Sequence, residues 1–235
     1  MTRSDLAPHA TRIPPGSPRP SAARRKGWPT LLGRQPIVAA DGVPVGFEFL
    51  YRSPTPRPLR VDTWTPEHQD RATAIVLEQV FDGGADRVAD GRLAFVNITR
   101  SYLVGSLPLP PHPDRLVLEI VESVPADQSV LAGARRLRAD GYRIALDDFT
   151  GTPAQVELLP WADYVKIDYR DLELSGSPLV ELARSAGAAL IAERVEDEAS
   201  RARCAEMGIH LFQGDLFAAT SVLDRTTAVP SPRSG

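Results

Sequence analysis

Polar side chains that can bind a metal ion or a phosphate lie in or directly after seven short apolar runs of this chain. Asn97 ends Ala-Phe-Val-Asn, Glu119 ends Leu-Val-Leu-Glu, and Asp147 and Asp148 follow Ile-Ala-Leu. The remaining runs carry Glu48, Lys166, Glu193 and Gln213. A single buried carboxylate is most often a structural hydrogen-bonding group, but burying several ionised groups is costly unless they are paired or coordinated. Their recurrence on successive runs therefore favours one shared functional site.

The chemistry of this set favours hard divalent cations. Carboxylate and amide oxygens suit Mg²⁺ or Mn²⁺, and the set includes neither the four histidines nor the single cysteine of the chain. Four carboxylates are enough to hold two ions, and they belong to Glu48, Glu119, Asp147 and Asp148. Two ions about 3.5–4 Å apart are a common device for cleaving phosphodiesters. We therefore expect two Mg²⁺ or Mn²⁺ ions and a phosphodiester substrate.

Lys166 has two chemical interpretations besides the neutralisation of its neighbours. It could orient an attacking water and stabilise developing charge, or it could form a Schiff base as a desolvated amine nucleophile. Carboxylate-rich surroundings keep a lysine protonated, which disfavours the amine nucleophile.

The elements that must position these residues alternate between strands and helices. Gln35–Ala39 and Val43–Tyr51 flank an Asp-Gly turn and predict a hairpin, and a helix is predicted over residues 66–81. Six more strands are predicted at Leu93–Ile98, Leu116–Val121, Tyr142–Leu146, Tyr164–Ile167, Ala188–Ala192 and Ile209–Phe212. Predicted helices at Ser129–Ala139, Pro178–Ser185 and Glu198–Met207 separate several of them. This rhythm suits an α/β barrel or an open doubly wound sheet. Eight strands, with no G-x-G-x-x-G after the early ones, favour the barrel, whose carboxyl-end mouth would gather the polar residues.

Composition and charge limit the partners. Six of the 27 basic residues but one of the 30 acidic residues lie in residues 1–30, so this segment carries +5 and the remainder −8. An acidic domain repels nucleic-acid backbones, so polymeric DNA or RNA is not an expected partner.

No run approaches the ~18 apolar residues of a membrane span, and we expect a cytoplasmic protein. Residues 1–30 and 221–235 are expected to be disordered tails around one domain at 31–220.

In this setting the chain resembles the EAL domain family of cyclic-di-GMP phosphodiesterases. The E-x-L-x-R motif of that family is present as Glu48-Phe49-Leu50-Tyr51-Arg52. Six further motifs follow in the family's order: F-V-N (95–97), L-E-I-V-E (118–122), D-D-F (147–149), V-K-I-D (165–168), A-E-x-V-E (192–196) and F-Q-G (212–214). The resemblance covers about residues 31–220 and implies a modified (βα)8 TIM-like barrel with an antiparallel first strand.

The resemblance also implies roles for the individual residues. Glu48, Asn97, Glu119 and Asp147 would bind metal, and Asp148 would serve a second ion. Lys166 and Gln213 would orient the catalytic water, Glu193 would support the metal site, and Arg52 would bind a substrate phosphate, although its plainer interpretation is a surface cation. The implied reaction is hydrolysis of cyclic di-GMP to linear pGpG in bacterial signalling.

Several features depart from the family pattern. Phe49 replaces an alanine, Asp215 replaces a tyrosine after Q-G, and Thr150–Ala154 replaces Gly-Thr-Gly-Tyr-Ser, a loop that in the family couples the metal site to a homodimer. The spacing and Arg194 resemble the subgroup usually fused to an HDOD domain, and we expect a stand-alone relative. The alternative to an enzyme is thus a catalytically weak or inactive EAL domain that senses cyclic di-GMP or binds a signalling protein.

Overall fold

A closed, mostly parallel barrel forms the body of the protein. The computed structural model describes residues 31–52, 64–81 and 89–223. Its strands are β1 Leu31–Ala39, β2 Pro44–Arg52, β3 Leu93–Ile98, β4 Leu116–Ile120, β5 Arg143–Leu146, β6 Tyr164–Asp168, β7 Ala189–Glu193, β8 Leu211–Phe212 and β9 Ser221–Leu223. Neighbours follow the order β2-β3-β4-β5-β6-β7-β8-β1, and β1 pairs with β2 to close the ring. The open doubly wound alternative is therefore wrong.

The first strand runs against the others, as the resemblance implied. β1 is antiparallel to both β2 and β8, whereas the remaining neighbours around the ring are parallel. The four-residue connection between β1 and β2 explains this direction, because it is too short for the crossover that parallel strands need. Gly42 adopts a φ of 79° there, and the backbone N–H of Val43 donates to Asp41 Oδ1 at 3.0 Å.

Helices cover the outside of the barrel. They are α1 Pro66–Phe81, α2 Arg100–Leu103, α3 Gln128–Ala139, α4 Pro153–Leu158, α5 Tyr169–Arg184 and α6 Glu198–Glu206, with a 3-10 turn at Leu159–Trp161. The main apolar core lies between this layer and the outward faces of the strands. Phe49, 1% exposed, belongs to that core, so its large side chain packs away from Glu48 on the same strand. No helix within the described ranges is long and apolar enough to cross a membrane.

Inside the barrel, each strand alternates between the two faces with a period of two residues. A small inner cluster of Ile37, Phe95, Val117, Ala145 and Ile191 fills the amino-terminal half. Two residues beyond four of these come the polar residues Asn97, Glu119, Asp147 and Glu193. The alternation therefore turns the apolar and the polar residue inward together, one above the other. The polar layer forms at the carboxyl ends of the parallel strands.

Gly46 shows how tightly the inner layer is filled. A Cβ at this position would come within 2.7 Å of the Phe95 ring, which is itself fully buried. Glycine is thus required at this point of β2 for the ring to fill the interior beneath Glu48.

Some boundaries differ from the sequence-based prediction. α5 begins nine residues before the predicted Pro178 and bends at Gly176, whose φ is 59°. The short helices α2 and α4 were not predicted, because four to six residues carry little periodicity. Residues 221–223 form β9 and pair with β1, so the predicted carboxyl-terminal tail begins too early. The predicted tail at 1–30 and the rest of 221–235 lie outside the described residues.

Candidate functional site

Lys166 lies at the centre of the polar layer. Its side chain is 1% exposed, and its Nζ is 2.9 Å from one carboxylate oxygen each of Glu119, Asp147 and Glu193 and 3.3 Å from Glu48. Burial lowers the pKa of Lys166, but the four carboxylates outweigh burial and raise this pKa well above its ordinary value. The amine is therefore protonated, and the Schiff-base interpretation loses its chemical basis.

One ammonium does not neutralise four carboxylates. Burial raises the pKa of Glu119 well above its ordinary value and that of Glu193 to about 8, although Lys166 acts in the opposite sense on both. Glu119 Oε1 reaches Lys166 as an ion pair without hydrogen-bond geometry, and its Oε2 has no hydrogen-bond partner. Ionisation of all four carboxyl groups is therefore disfavoured in this pocket unless a further cation joins Lys166.

The buried carboxylate and amide oxygens are of the type that binds a metal ion, but they do not converge on a metal position. Asn97 Oδ1 and Gln213 Oε1 are buried oxygens with no hydrogen-bond partner in the described structure. Buried polar atoms are normally satisfied, so unpartnered oxygens that share a pocket with carboxylates suit a hard cation. Among the described residues, however, no group of three or more His, Cys, Asp or Glu side chains converges on a metal position. The carboxylates converge on Lys166 Nζ instead, and the ammonium takes the central place.

Gln213 connects the last parallel strand to the first two strands. Its Nε2 donates to Glu48 Oε2 and, at 3.1 Å, to Gln35 Oε1. Gln35 was not predicted as a site residue, although a signal exists, since it pairs directly with Glu48 in the antiparallel register. The amide of Gln213 is thereby oriented with its free Oε1 in the pocket.

Asp148 differs from Asp147 in how it is held. The backbone N–H of Asp147 donates to Ile120 of the neighbouring strand at 3.0 Å, whereas Asp148 has left the sheet and adopts a φ of 43°. A non-glycine residue in this left-handed region carries about 1–2 kcal/mol of strain. Burial raises the pKa of Asp148, as does the nearby charge of Asp147.

Gln155 fixes the loop that follows Asp148. Its Oε1 accepts hydrogen bonds from the backbone N–H groups of Thr150 and Thr152 at 3.0 and 3.2 Å. Its Nε2 donates to the backbone oxygen of Asp148 at 2.9 Å and more weakly to that of Asp147 at 3.4 Å. Thr152 caps α4, and Pro153 occupies the first turn of this helix. The sequence analysis did not predict this role of Gln155, because its contacts depend on the short helix α4.

Arg52 lies above Glu48 on the same face of β2. The two residues are four apart, so Arg52 is about 13 Å further along the strand, at the rim of the mouth. Its side chain is exposed and passes over Gly33, where a Cβ would come within 3.1 Å of Nε. The structure thus places Arg52 at the rim, apart from the buried cluster that contains the other predicted residues except Asp148.

A second charged group lies at the rim between β6 and β7. Asp168 is 4% exposed and accepts hydrogen bonds from the backbone N–H and the guanidinium of Arg170. Arg194 Nε contacts the same carboxylate at 2.8 Å. Both arginine side chains are more than half exposed.

Comparisons with known proteins agree with this architecture. The model of the EAL domain family matches residues 34–220. The chain is 28% identical over 200 residues to the uncharacterized protein YuxH of Bacillus subtilis, covering 82% of this chain and 48% of that protein. It is 30% identical over 210 residues to the cyclic di-GMP phosphodiesterase CdgJ of Vibrio cholerae, covering 86% of this chain and 47% of CdgJ. The chain thus spans about half the length of these curated relatives.

A solved structure shows the same fold. BlrP1 of Klebsiella pneumoniae, in a complex with manganese and cyclic di-GMP, superposes with a TM-score of 0.63 at 22% identity. The match covers 84% of this chain and 57% of that one. At this identity the likeness establishes the barrel and its strand order.

Proposed function

Since this chain belongs to the EAL domain family, we propose that it hydrolyses cyclic di-GMP to linear pGpG in a reaction that depends on two divalent metal ions. The observation that carries the proposal is the buried array of four carboxylates with unpartnered amide oxygens at the carboxyl-end mouth of a closed barrel. Such an array is costly in a protein interior unless cations complete it. The name of CdgJ and the manganese complex of BlrP1 are consistent with this chemistry.

Glu48, Asn97, Glu119 and Asp147 would hold the first ion, and Asp148 would add the second. When bound, the ions would supply an activated water and stabilise the leaving oxygen. We propose Mg²⁺ or Mn²⁺, because every proposed ligand is an oxygen donor. Binding requires Lys166 Nζ to withdraw from the proposed metal ligands Glu48, Glu119 and Asp147, which it now contacts at 2.9–3.3 Å.

Lys166, Gln213 and Glu193 would act on the water and the reacting phosphate. A protonated Lys166 can donate to the phosphate oxygens or orient the water, and it stabilises developing negative charge in a buried pocket. Gln213 Oε1 is free to accept a hydrogen bond from that water, because its Nε2 is already held by Glu48 and Gln35. Glu193 stays in contact with Lys166 and supports its position.

Arg52 would bind a phosphate of the substrate. It is exposed at the rim, it has no carboxylate partner within the described part of the chain, and it is on the same strand face as Glu48. A guanidinium in this position can contact a phosphate that spans the mouth.

The alternative function is a cyclic di-GMP sensor or protein-interaction module that does not hydrolyse the nucleotide. One observation favours it: the loop after Asp148 is closed by α4 and Gln155 in place of the glycine-containing segment found in the family. A homodimer and a signalling partner remain proposals of the same kind.

One assay separates the two functions. The protein is incubated with cyclic di-GMP and Mg²⁺ or Mn²⁺, pGpG is measured by chromatography, and nucleotide binding is measured by calorimetry in Ca²⁺. We expect pGpG to form, and Glu119→Gln to abolish its formation. Binding without any pGpG would replace the enzyme by the sensor, and the absence of both would refute the two proposals together.

A further inference from the structure

Arg194 is held in a conformation that does not favour arginine. It directly follows Glu193 at the end of β7 and has a φ of 53°. Glycine adopts this left-handed region freely, whereas a residue with a Cβ is strained there. The side chain must therefore have an interaction that explains its presence at this position.

The need to pair the buried Asp168 carboxylate does not explain why an arginine occupies this strained position. The buried Asp168 carboxylate already accepts from the backbone N–H of Arg170 at 2.9 Å and from the Arg170 guanidinium at 3.1 Å. Arg194 adds one ion pair at 2.8 Å through Nε, while its side chain remains 60% exposed. Asp168 thus orients the Arg194 guanidinium through Nε and leaves its outer edge exposed.

Arg170 and Arg194 line a small cavity at the rim. It has a volume of about 190 Å³ and also contacts Tyr169, Glu196, Asp197 and Ser200. This is less than the roughly 300–1,000 Å³ of sites that enclose a whole ligand, so it suits one group of a larger molecule. The two guanidinium groups share the lining with the carboxylates of Glu196 and Asp197, so a phosphate contact would come from the exposed guanidinium edges and not from a net positive charge of the cavity.

The barrel places Arg194 on a different side of the mouth from Arg52. Arg194 follows β7, which is separated from β2 by two strands in one direction around the ring and by four in the other, so Arg52 and Arg194 approach the mouth from different sides. The carboxylate cluster lies between and below them. A cyclic dinucleotide likewise carries its two phosphodiesters on different sides of one ring.

We propose that Arg194 is a ligand-positioning residue whose guanidinium binds the phosphate of the cyclic dinucleotide that Arg52 does not contact. The inference rests on the proposed function for the identity of the ligand. Asp168 orients this guanidinium, and the strained backbone carries it to the rim.

The test uses the full chain with cyclic di-GMP in Ca²⁺, measured by calorimetry, with thermal unfolding of each variant. Arg194→Gly should weaken binding about 10-fold, because one exposed charge-assisted contact is lost. Its melting temperature should stay within about 2 °C of the wild type, because the strain of Arg194 is relieved as its ion pair is lost. Arg194→Lys should retain affinity within about threefold, since a point charge still binds a phosphate.

Arg138→Gln is the matched control. Arg138 is a partly exposed arginine whose partner, Asp163, precedes β6 at the opposite end of the barrel, and this variant should bind like the wild type.

If the wild type binds cyclic di-GMP and Arg194→Gly binds it equally well, this inference is overturned and the proposed function is not. If Arg194→Lys loses as much affinity as Arg194→Gly, a point charge cannot replace the guanidinium. The guanidinium would then bind a guanine edge in a bidentate manner, and the phosphate contact would be overturned. A fall of more than about 5 °C in Arg194→Gly would make the residue structural. No binding by the wild type would refute the proposed function and this inference with it.

Discussion

Replacing Gln155 by alanine should loosen the second proposed metal ligand while leaving the first ligands in place. Asp147 is held by the sheet, but the backbone oxygen of Asp148 is held by Gln155 Nε2 at 2.9 Å. Without that contact, the strained φ of 43° at Asp148 has less to maintain it. The carboxylate of Asp148 should then sample positions away from the cluster.

The size of the effect follows from the hydrogen bonds. Gln155 is 4% exposed and accepts from the backbone of Thr150 and Thr152 in addition to its two donations. At about 1 kcal/mol net for each good hydrogen bond, and more for backbone groups left buried without a partner, Gln155→Ala should cost about 2–4 kcal/mol. A domain of this size should then melt roughly 4–16 °C lower.

Thermal unfolding and a calorimetric titration with Mn²⁺ measure the two consequences separately. We expect the weaker of two binding events to lose about 10-fold in affinity in Gln155→Ala, with the tighter event nearly unchanged. Gln155→Glu keeps the acceptor oxygen but loses the donations to Asp147 and Asp148, so it should weaken the same event. Gln128→Ala, at an exposed position on α3, should change stability by less than about 0.5 kcal/mol. Equal weakening of both metal events, or an unchanged melting temperature, would refute the reasoning.

The remaining predictions concern the metal, the substrate, the loop and the cysteine. Hydrolysis should stop in excess EDTA, and Ca²⁺ should inhibit it because a larger, looser coordination shell misplaces the water; turnover that persists in EDTA would contradict a metal mechanism. Glu48→Ala should abolish turnover, whereas Arg52→Ala should mainly raise KM, so equal small effects in a kinetic comparison would count against both roles. Grafting Gly-Thr-Gly-Tyr-Ser onto Thr150–Ala154 should raise turnover at limiting metal more than it raises nucleotide affinity, and superimposable metal titrations would show that this loop does not limit the enzyme. Burial raises the pKa of the Cys204 thiol to about 11; the folded protein should therefore react with a thiol reagent at pH 8 only on unfolding, and the stability linked to this proton should be lost only as the pH rises towards 11. Rapid labelling of Cys204 in the native protein at pH 8 would contradict the burial of this thiol.

The sequence alone determined the membership of the polar layer. A strand alternates with a period of two residues, so a polar residue two positions beyond an inward apolar one must also point inward. Phe95 and Asn97, or Val117 and Glu119, show this on single strands without any knowledge of their neighbours. The hairpin direction was equally local, because a short Asp-Gly turn permits only antiparallel pairing.

The contacts between these residues were decided by the closed barrel. Lys166 and Glu48 are 118 residues apart in the chain, and no periodicity within either strand indicates that the ammonium lies among four carboxylates. The role of Gln155 depends on a short helix whose first turn returns to the carbonyl of Asp148. The place of Arg194 depends on a positive φ and on Asp168 from the neighbouring strand. Local patterns determine which face of an element a side chain occupies, whereas strand register, ring closure and loop hydrogen bonds determine which side chains meet, because these are set by the packing of the whole chain.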